Sequence, residues 1–175
     1  MRELSLNVGQ LPSAAPELQT GDRVLLSGRV YTARDAAHKR ICQLLDEGKE
    51  PPFPLPGAVI YYAGPTPAQQ GMAVGSCGPT TSGRMDPYAP RLLDLGLQAM
   101  IGKGDRSDAV VDAIARNSAV YFAAVGGAGA LIARCIVSSR VIAFDDLGCE
   151  SVKEMEVRDL PLTVAIDSRG RDLYR

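Results

Sequence analysis

Short apolar runs alternate with segments of helical periodicity along most of the chain. This order predicts a layered α/β fold with a partly parallel sheet. The predicted strands cover residues 24–26, 58–63, 99–101, 119–124, 141–144 and 162–166. The predicted helices cover residues 33–46, 90–95, 108–117, 128–137 and 151–156. No internal repeat or domain boundary interrupts the pattern, so we expect a single domain over residues 1–175.

The predicted helices over 108–117 and 151–156 have start signals in the sequence. Ser107 is a suitable N-cap for the helix over 108–117, and Ser151 with Glu154 has the spacing of a capping box. The segment 50–56, EPPFPLP, predicts a stiff extended connection between elements.

A basic residue lies where the first predicted helix begins. Thr32 and Asp35 have the hydroxyl-then-acid spacing that caps a helix start. The apolar face of that helix consists of Ala37, Ile41, Leu44 and Leu45. Arg34 would lie in the first turn, where the helix dipole disfavours a cation. We therefore expect Arg34 to serve a ligand, because backbone amides and a guanidinium can hold the same carboxylate.

Residues 75–86, GSCGPTTSGRMD, have almost nothing to bury. Three glycines, a proline, adjacent threonines and an arginine fit neither a core strand nor an amphipathic helix. With the downstream KGDR segment, 103–106, they predict a shaped loop that brings backbone N–H groups and cations to a small anion. The alternative interpretation is a long irregular connection.

The composition argues against a nucleic-acid-binding or membrane protein. The 175 residues carry a net charge of −1, with 22% charged residues, so neither nucleic acid nor an anionic membrane is indicated as a partner. Aromatic residues are 5% and tryptophan is absent, which disfavours a base-stacking surface. The apolar stretches are too short for a membrane span, and the first residues lack the apolar core of a signal peptide, so we expect a cytoplasmic protein.

The four cysteines, Cys42, Cys77, Cys135 and Cys149, are scattered without a C-x-x-C pair. This spacing argues against a zinc site or an iron–sulfur cluster held wholly by this chain. Cys42 and Cys135 lie in apolar helical runs and are predicted to be small core residues. The segment 125–130, VGGAGA, does not match a dinucleotide fingerprint and predicts a tight strand-to-helix turn.

Six motifs resemble one family in matching order: GDRVLLSG, YTARDAAHKR, IYYAGPTPA, SCGPTTSGRMD, IGKGDR and DLPLTVAIDSRGRDLY. They are similar to the β subunit of class I fumarases and L-tartrate dehydratases, which is the C-terminal domain in single-chain members. The resemblance covers residues 4–174 and implies a single-domain, three-layer, swivelling β/β/α-type fold. It also implies a partner α subunit that carries a [4Fe-4S] cluster and supplies all of its ligands, with no metal bound by this chain.

The resemblance implies a site for a small dicarboxylate, shared between the two subunits. Arg34, Arg84 and Lys103 match the positions at which the family binds substrate carboxylates, and arginine suits a carboxylate because of its bidentate fork. In the family an open iron of the cluster is the Lewis acid for the leaving hydroxyl. Thr80 matches the position that transfers the proton, together with an aspartate of the α subunit.

Other residues remain open as alternatives or supports. His38 is the candidate base on chemistry alone, although its place on a helix beside Lys39 favours a surface or structural role. Asp86 and Asp105 are acidic alternatives or orient nearby cations, and Thr81 is expected to donate a hydrogen bond. Arg106 either contacts the substrate or braces its loop.

We therefore expect a hydro-lyase subunit, inactive alone, that hydrates fumarate to L-malate. The alternatives are the β subunit of L-tartrate dehydratase and, in a different class, a non-catalytic module that binds a carboxylate or phosphate. Loops 80–84 and 103–106 are expected to lie exposed or mobile in the isolated chain, on the face that meets the α subunit. Homodimerisation of the functional unit is also expected from the resemblance.

Overall fold

Two long strands, β2 (Arg23–Thr32) and β7 (Val152–Ile166), organise the sheet. The computed structural model describes residues 2–125 and 128–175. Within them the sheet also contains β1 (Glu3–Asn7), β3 (Val59–Tyr61), β4 (Ala99–Gly102), β5 (Val120–Ala123) and β6 (Ile136–Ala143). The strand order is β1-β2-β3-β4-β5-β7-β6, with a further pairing between β2 and β7.

This further pairing closes the sheet into a barrel. Strands β2 to β5 pair in parallel, and β7 runs antiparallel to both β5 and β2. Strand β1 lies parallel to the first half of β2, and β6 lies antiparallel to the first half of β7. The predicted α/β class with a partly parallel sheet is confirmed. The closure was not predicted, because it depends on one strand pairing with two strands distant in sequence.

The helices are α1 (Leu11–Ala14), α2 (Asp35–Asp46), α3 (Ala89–Asp94), α4 (Asp108–Arg116) and α5 (Gly129–Ala133). As predicted, Ser107 caps α4, because its hydroxyl accepts a hydrogen bond from the Val110 amide at 3.4 Å. Helices α2, α3 and α4 contribute buried side chains to one shared apolar core.

The central parallel strands are buried on both faces. Val59 and Tyr61 of β3 belong to one apolar core, whereas Ile60 belongs to the core shared with the helices. Met100 and Tyr121 lie in that same helix-side core. Because both faces are covered, these strands appear in the sequence as continuous apolar runs rather than as alternating ones.

The predicted helix over residues 151–156 is wrong. These residues lead into and begin β7, where Thr32 pairs with Lys153 and Val30 pairs with Met155. Ser151 is not an N-cap, and its hydroxyl instead accepts a hydrogen bond from Lys153 Nζ at 2.9 Å. Pairing with β2 and β6 outweighs the local helix signal, as tertiary context commonly does.

The predicted helix over residues 128–137 is too long. Helix α5 ends at Ala133 and β6 already begins at Ile136. The predicted strand over 141–144 is therefore the end of a longer strand. Phe144 follows that strand in a left-handed conformation, with φ of 56°, which turns the chain away from the sheet.

Candidate functional site

The parallel strands β2 to β5 all end at one edge of the sheet, and backbone hydrogen bonds continue beyond their ends. The Ala33 amide donates to the Tyr61 carbonyl at 3.1 Å, and the Ala124 amide donates to the Gly102 carbonyl at 2.8 Å. The residues that follow these strands, among them Arg34 after β2 and Lys103 after β4, therefore lie along the same edge, with the end of β3 between them. In parallel α/β sheets, whether open or closed into a barrel, this carboxyl edge is where ligands bind.

The glycine-rich segment folds back onto this edge. The Thr80 amide donates to the Tyr62 carbonyl at 2.7 Å, and the Ser82 amide donates to the Lys103 carbonyl at 2.9 Å. Thr81 forms a parallel bridge with Lys103. The structure thus brings Thr80 and Thr81 beside Lys103, as a shaped loop rather than an irregular connection.

Glycine at position 102 permits this close approach. A Cβ atom on Gly102 would lie 1.9 Å from the Ser82 hydroxyl and 2.8 Å from Cδ2 of Tyr62. A larger residue at the end of β4 would push the loop away from Lys103.

Arg34 directly precedes α2 and adopts an extended conformation there. The predicted cap from Thr32 is wrong, because Thr32 lies in β2 and its hydroxyl accepts from the Lys153 amide at 3.1 Å. The Arg34 side chain is 26% exposed, and its Nε lies 3.9 Å from a Glu150 oxygen. Within the described residues this Nε has no hydrogen-bond partner. Arg34 therefore has a buried Nε donor without a partner in the described part of the chain, while part of its side chain stays exposed at the sheet edge.

Gly64, after β3, makes room for this guanidinium. A Cβ atom on Gly64 would lie 2.9 Å from Nη1 and 3.0 Å from Cδ of Arg34. Sequence reasoning did not single out Gly64, although it lies within the IYYAGPTPA motif.

Arg84 lies in a short 3₁₀ helix, Ser82–Met85, and reaches α2. Its Nε donates to Asp35 Oδ2 at 2.9 Å, and both side chains are partly exposed. An exposed ion pair of this kind contributes little to stability. Arg84 is therefore available to an anion that competes with Asp35.

His38 is buried rather than at the surface. Its Nδ1 lies 2.8 Å from the Arg34 carbonyl oxygen, and its ring packs at 5.5 Å from Tyr62 and 5.9 Å from Tyr88. Burial lowers the pKa of His38 to about 4. A neutral ring enclosed in this way supports the structural role and not the surface one.

Arg106 and Asp86 form a buried ion pair. Arg106 Nε donates to Asp86 Oδ1 at 2.7 Å, and its Nη2 donates to the Tyr62 hydroxyl at 3.1 Å. The Arg106 side chain is 0% exposed, so the expectation that the whole 103–106 loop is exposed is wrong at this residue. This geometry supports a role for Arg106 in bracing its loop and not in contacting the substrate.

The described residues contain no group of three or more His, Cys, Asp or Glu side chains that is placed to hold a metal ion. Cys77 is buried, and burial raises the pKa of its thiol to about 12. Cys42 and Cys135 are half-buried.

No described helix has both the length and the apolar character needed to cross a membrane. The predicted turn over 125–130 includes Gly126 and Gly127, which lie outside the described residues.

Comparison with known proteins gives a consistent result. The profile of the family described as "Fumarase C-terminus" matches residues 1–175. "Fumarate hydratase 2" of Leishmania major is 36% identical over 174 residues, which is 98% of this chain and 31% of that protein. "Fumarate hydratase class I, anaerobic" of Escherichia coli is 35% identical over 177 residues, covering 100% of this chain and 31% of that protein.

A third relative is close to this chain in length. The "Putative L(+)-tartrate dehydratase subunit beta" of Methanocaldococcus jannaschii is 38% identical over 164 residues, which is 90% of this chain and 84% of that protein. By contrast, the chain spans only 31% of the length of the two fumarate hydratases. On the profile match and on these relatives, the chain belongs to the fumarase C-terminus family, as its six motifs indicated.

Proposed function

We propose that this chain is the β subunit of an iron–sulfur hydro-lyase that reversibly hydrates fumarate to L-malate. The active site would be shared with an α subunit that carries the [4Fe-4S] cluster. The observation that carries the proposal is the placement of Arg34, Thr80, Arg84 and Lys103 in segments that meet at one sheet edge, within motifs typical of the family. The three-layer swivelling arrangement remains a prediction.

The cluster does not fit the residues of this chain. Iron–sulfur clusters are held by cysteine thiolates, and the buried Cys77 thiol resists ionisation because its pKa is raised to about 12. The part of the chain that the structure describes offers no ligand set of three or more suitable side chains. We therefore assign the cluster to the α subunit.

The cations of this chain would bind the two substrate carboxylates. Within the described residues, Arg34 has a buried Nε donor without a partner, and Arg84 pairs with the partly exposed Asp35. Lys103, half-buried at the end of β4, would add a third positive charge. Positive charge around a carboxylate also stabilises the negative charge that develops when the neighbouring carbon loses its proton.

Thr80 would move that proton through its Oγ1, together with an aspartate of the α subunit. A threonine hydroxyl is a poor base unless nearby cations stabilise its alkoxide. The loop backbone pairs Thr81, the next residue after Thr80, with Lys103, which is a suitable source of that field. Its half-buried position leaves the hydroxyl within reach of a substrate that arrives from the partner side.

L-tartrate dehydration is the second candidate, favoured by the similarity to the putative tartrate dehydratase subunit. The two substrates differ by one hydroxyl, so a few pocket contacts decide between them. We propose that the α subunit supplies many of these contacts, and that pairs of functional units form homodimers in the cytoplasm.

Anaerobic reconstitution with the cluster-bearing α subunit tests the proposal. We expect the two chains to copurify, and the complex, but not this chain alone, to convert L-malate to fumarate with a rise in ultraviolet absorbance. Faster turnover of L-tartrate would select the second candidate. Dicarboxylate binding by the chain alone, without copurification or turnover, would favour a non-catalytic binding module.

A further inference from the structure

The buried side chain of Arg106 belongs to the second of two segments that carry Thr80, Arg84 and Lys103, and it contacts the first through Asp86. We call residues 80–86 and 103–107 the substrate loops. The Arg106 guanidinium lies 4.7 Å from the ring centroid of Tyr121 and 5.2 Å from that of Tyr62, so it is enclosed between two aromatic faces. A cation stacked in this way on two rings has little freedom to move.

Asp86 connects the two substrate loops through both of its oxygens. Oδ1 accepts from Arg106 Nε at 2.7 Å, and Oδ2 accepts from the Ser107 amide at 2.7 Å. The carboxylate thus holds the end of the first loop to the end of the second. Short charge-assisted hydrogen bonds of this kind are stronger than neutral ones.

Tyr121 connects the same loops at a second point. Its hydroxyl lies 2.7 Å from the Ser82 hydroxyl and 2.7 Å from the Gly104 carbonyl oxygen. Because a carbonyl oxygen only accepts, Tyr121 donates to Gly104 and accepts from Ser82. Ser82 and Gly104 each lie within two residues of a proposed site residue, Thr80 or Arg84 in one loop and Lys103 in the other.

Tyr62 connects the first substrate loop to Arg106. Its backbone carbonyl accepts from the Thr80 amide at 2.7 Å, while its hydroxyl accepts from Arg106 at 3.1 Å. The same residue therefore contacts both the loop backbone and the buried guanidinium.

We infer that Tyr62, Asp86, Arg106 and Tyr121 form a clamp whose function is to fix Thr80 and Arg84 relative to Lys103. These four are positioning residues, since none is proposed to touch the substrate. The catalytic part of this inference rests on the proposed function. Its physical basis is that a displacement of about 1 Å between reacting groups costs about a hundredfold in rate.

Tyr121→Phe is the most informative variant, because it removes one hydroxyl and leaves the ring stacked on Arg106. Tyr61→Phe is the matched control. Tyr61 is an equally buried tyrosine whose hydroxyl donates at 2.5 Å to the Cys77 carbonyl, outside both substrate loops. Each variant loses one buried phenolic hydroxyl and keeps its ring, so their general effects on stability are comparable.

Hydrogen exchange in the purified chain tests the clamp without any assumption about activity. We expect the Ser82 and Thr80 amides to exchange about fivefold to tenfold faster in Tyr121→Phe, as the loss of one internal hydrogen bond implies. They should exchange at the wild-type rate in Tyr61→Phe. Equal exchange at these amides in all three proteins would overturn the inference.

Kinetics of the reconstituted enzyme test the consequence for catalysis. In Tyr121→Phe we expect kcat to fall about tenfold to a hundredfold, with KM changed by much less and kcat retained in Tyr61→Phe. Ser82→Ala should reproduce the loss, and the double variant should be no worse than either single one, because both break the same connection. An additive loss, or equal kcat in both tyrosine variants, would contradict the clamp. If wild type has no turnover, the proposed function fails, and hydrogen exchange alone decides whether the clamp exists.

Discussion

The imidazole of His38 donates from Nδ1 to the backbone carbonyl of Arg34, with 2.8 Å between the two atoms. A carbonyl oxygen only accepts, so Nδ1 carries the proton and Nε2 is the bare nitrogen. Within the described residues that Nε2 has no hydrogen-bond partner. The single histidine therefore fixes the backbone beneath a proposed substrate arginine, and protonation of its buried Nε2 would be costly.

This burial predicts a specific pH dependence of stability. The pKa of His38 falls from 6.5 to about 4 on folding because burial disfavours the charged ring. Between these two values the unfolded state binds the proton and the folded state does not, so stability decreases as pH falls from about 6.5 towards 4. The lost free energy of unfolding amounts to about 3 kcal/mol.

Urea unfolding at a series of pH values checks this prediction in wild type and in His38→Gln. Asp35 and Arg106 also face the ring, and the carboxylates of the whole chain titrate near the lower limit, so the informative quantity is the difference between the two proteins. That difference should shrink steadily below pH 6.5. A constant difference would mean that His38 does not carry the pH dependence.

The two arginines proposed to bind substrate, Arg34 and Arg84, should be required for catalysis but not for folding. We expect Arg34→Met or Arg84→Met to cost about 2–5 kcal/mol of transition-state stabilisation, because each loses a charge-assisted bond to a carboxylate. Arg116→Met is the matched control for Arg84, since Arg116 pairs with Asp94 at 2.8 Å and is similarly exposed, on α4. Thermal melts and steady-state kinetics would be compared. Near-normal kcat/KM in both site variants would remove these arginines from the substrate site.

Thr80→Val separates the two candidate bases. The substitution keeps the side-chain shape and removes the hydroxyl, so activity should fall about 100- to 10,000-fold while substrate binding is retained. Thr163→Val in β7, outside both substrate loops, is the control for the same chemical change. His38→Gln should change activity by less than about tenfold. If the His38 variant were inactive and the Thr80 variant active, His38 and not Thr80 would be the base. The assay must be anaerobic, because oxidation of the cluster would also abolish activity and could be mistaken for the effect of either substitution.

Arg106 should contribute strongly to stability. Arg106→Met leaves the Asp86 carboxylate, only 15% exposed, without its cation, and we expect unfolding to become easier by about 3 kcal/mol or more. Adding Asp86→Asn should recover part of this loss, since the unpaired charge is then gone. Denaturant midpoints of the two single variants and the double variant measure the coupling, and strictly additive effects would argue against the pair.

Gly64→Ala tests whether Arg34 needs the space that glycine leaves. The new Cβ would lie 2.9 Å from Nη1 of Arg34, so the flexible guanidinium should move, raising KM with little change in stability. Gly9→Ala is the control, because its nearest neighbour would lie at an ordinary 3.7 Å. An unchanged KM in Gly64→Ala would show that Arg34 reaches its ligand by another path.

The elements that the sequence predicted well are those with strong local signals. Helix α4 has a serine cap and an amphipathic face, and β3 to β5 are apolar throughout because both of their faces are covered. The start of β7 was mistaken for a helix because Ser151 and Glu154 match a capping box by chance. What decides that segment is its pairing with β2 and β6, which no local pattern contains.

The candidate site was predicted unevenly for the same reason. The motifs made Arg34, Thr80, Arg84 and Lys103 candidates, and the structure holds the segments that carry them together at one edge. The roles of Gly64 and Tyr121 were not predicted, because each follows from a contact with a residue distant in sequence. Arg106 was identified as a candidate, but only its burial between two tyrosines distinguishes a brace from a ligand.

The closure of the barrel also determines when the protein can fold. Strand β7 must pair with β2, and contacts such as that between Thr32 and Lys153 join residues 121 positions apart. Loops of this length are costly to close before the contacts form, and folds dominated by such pairings take milliseconds to seconds. On the ribosome, β2 therefore cannot form its pairing with β7 until β7 has been synthesised. During synthesis the apolar residues of β2 that this pairing covers are exposed, so they can bind a chaperone or aggregate.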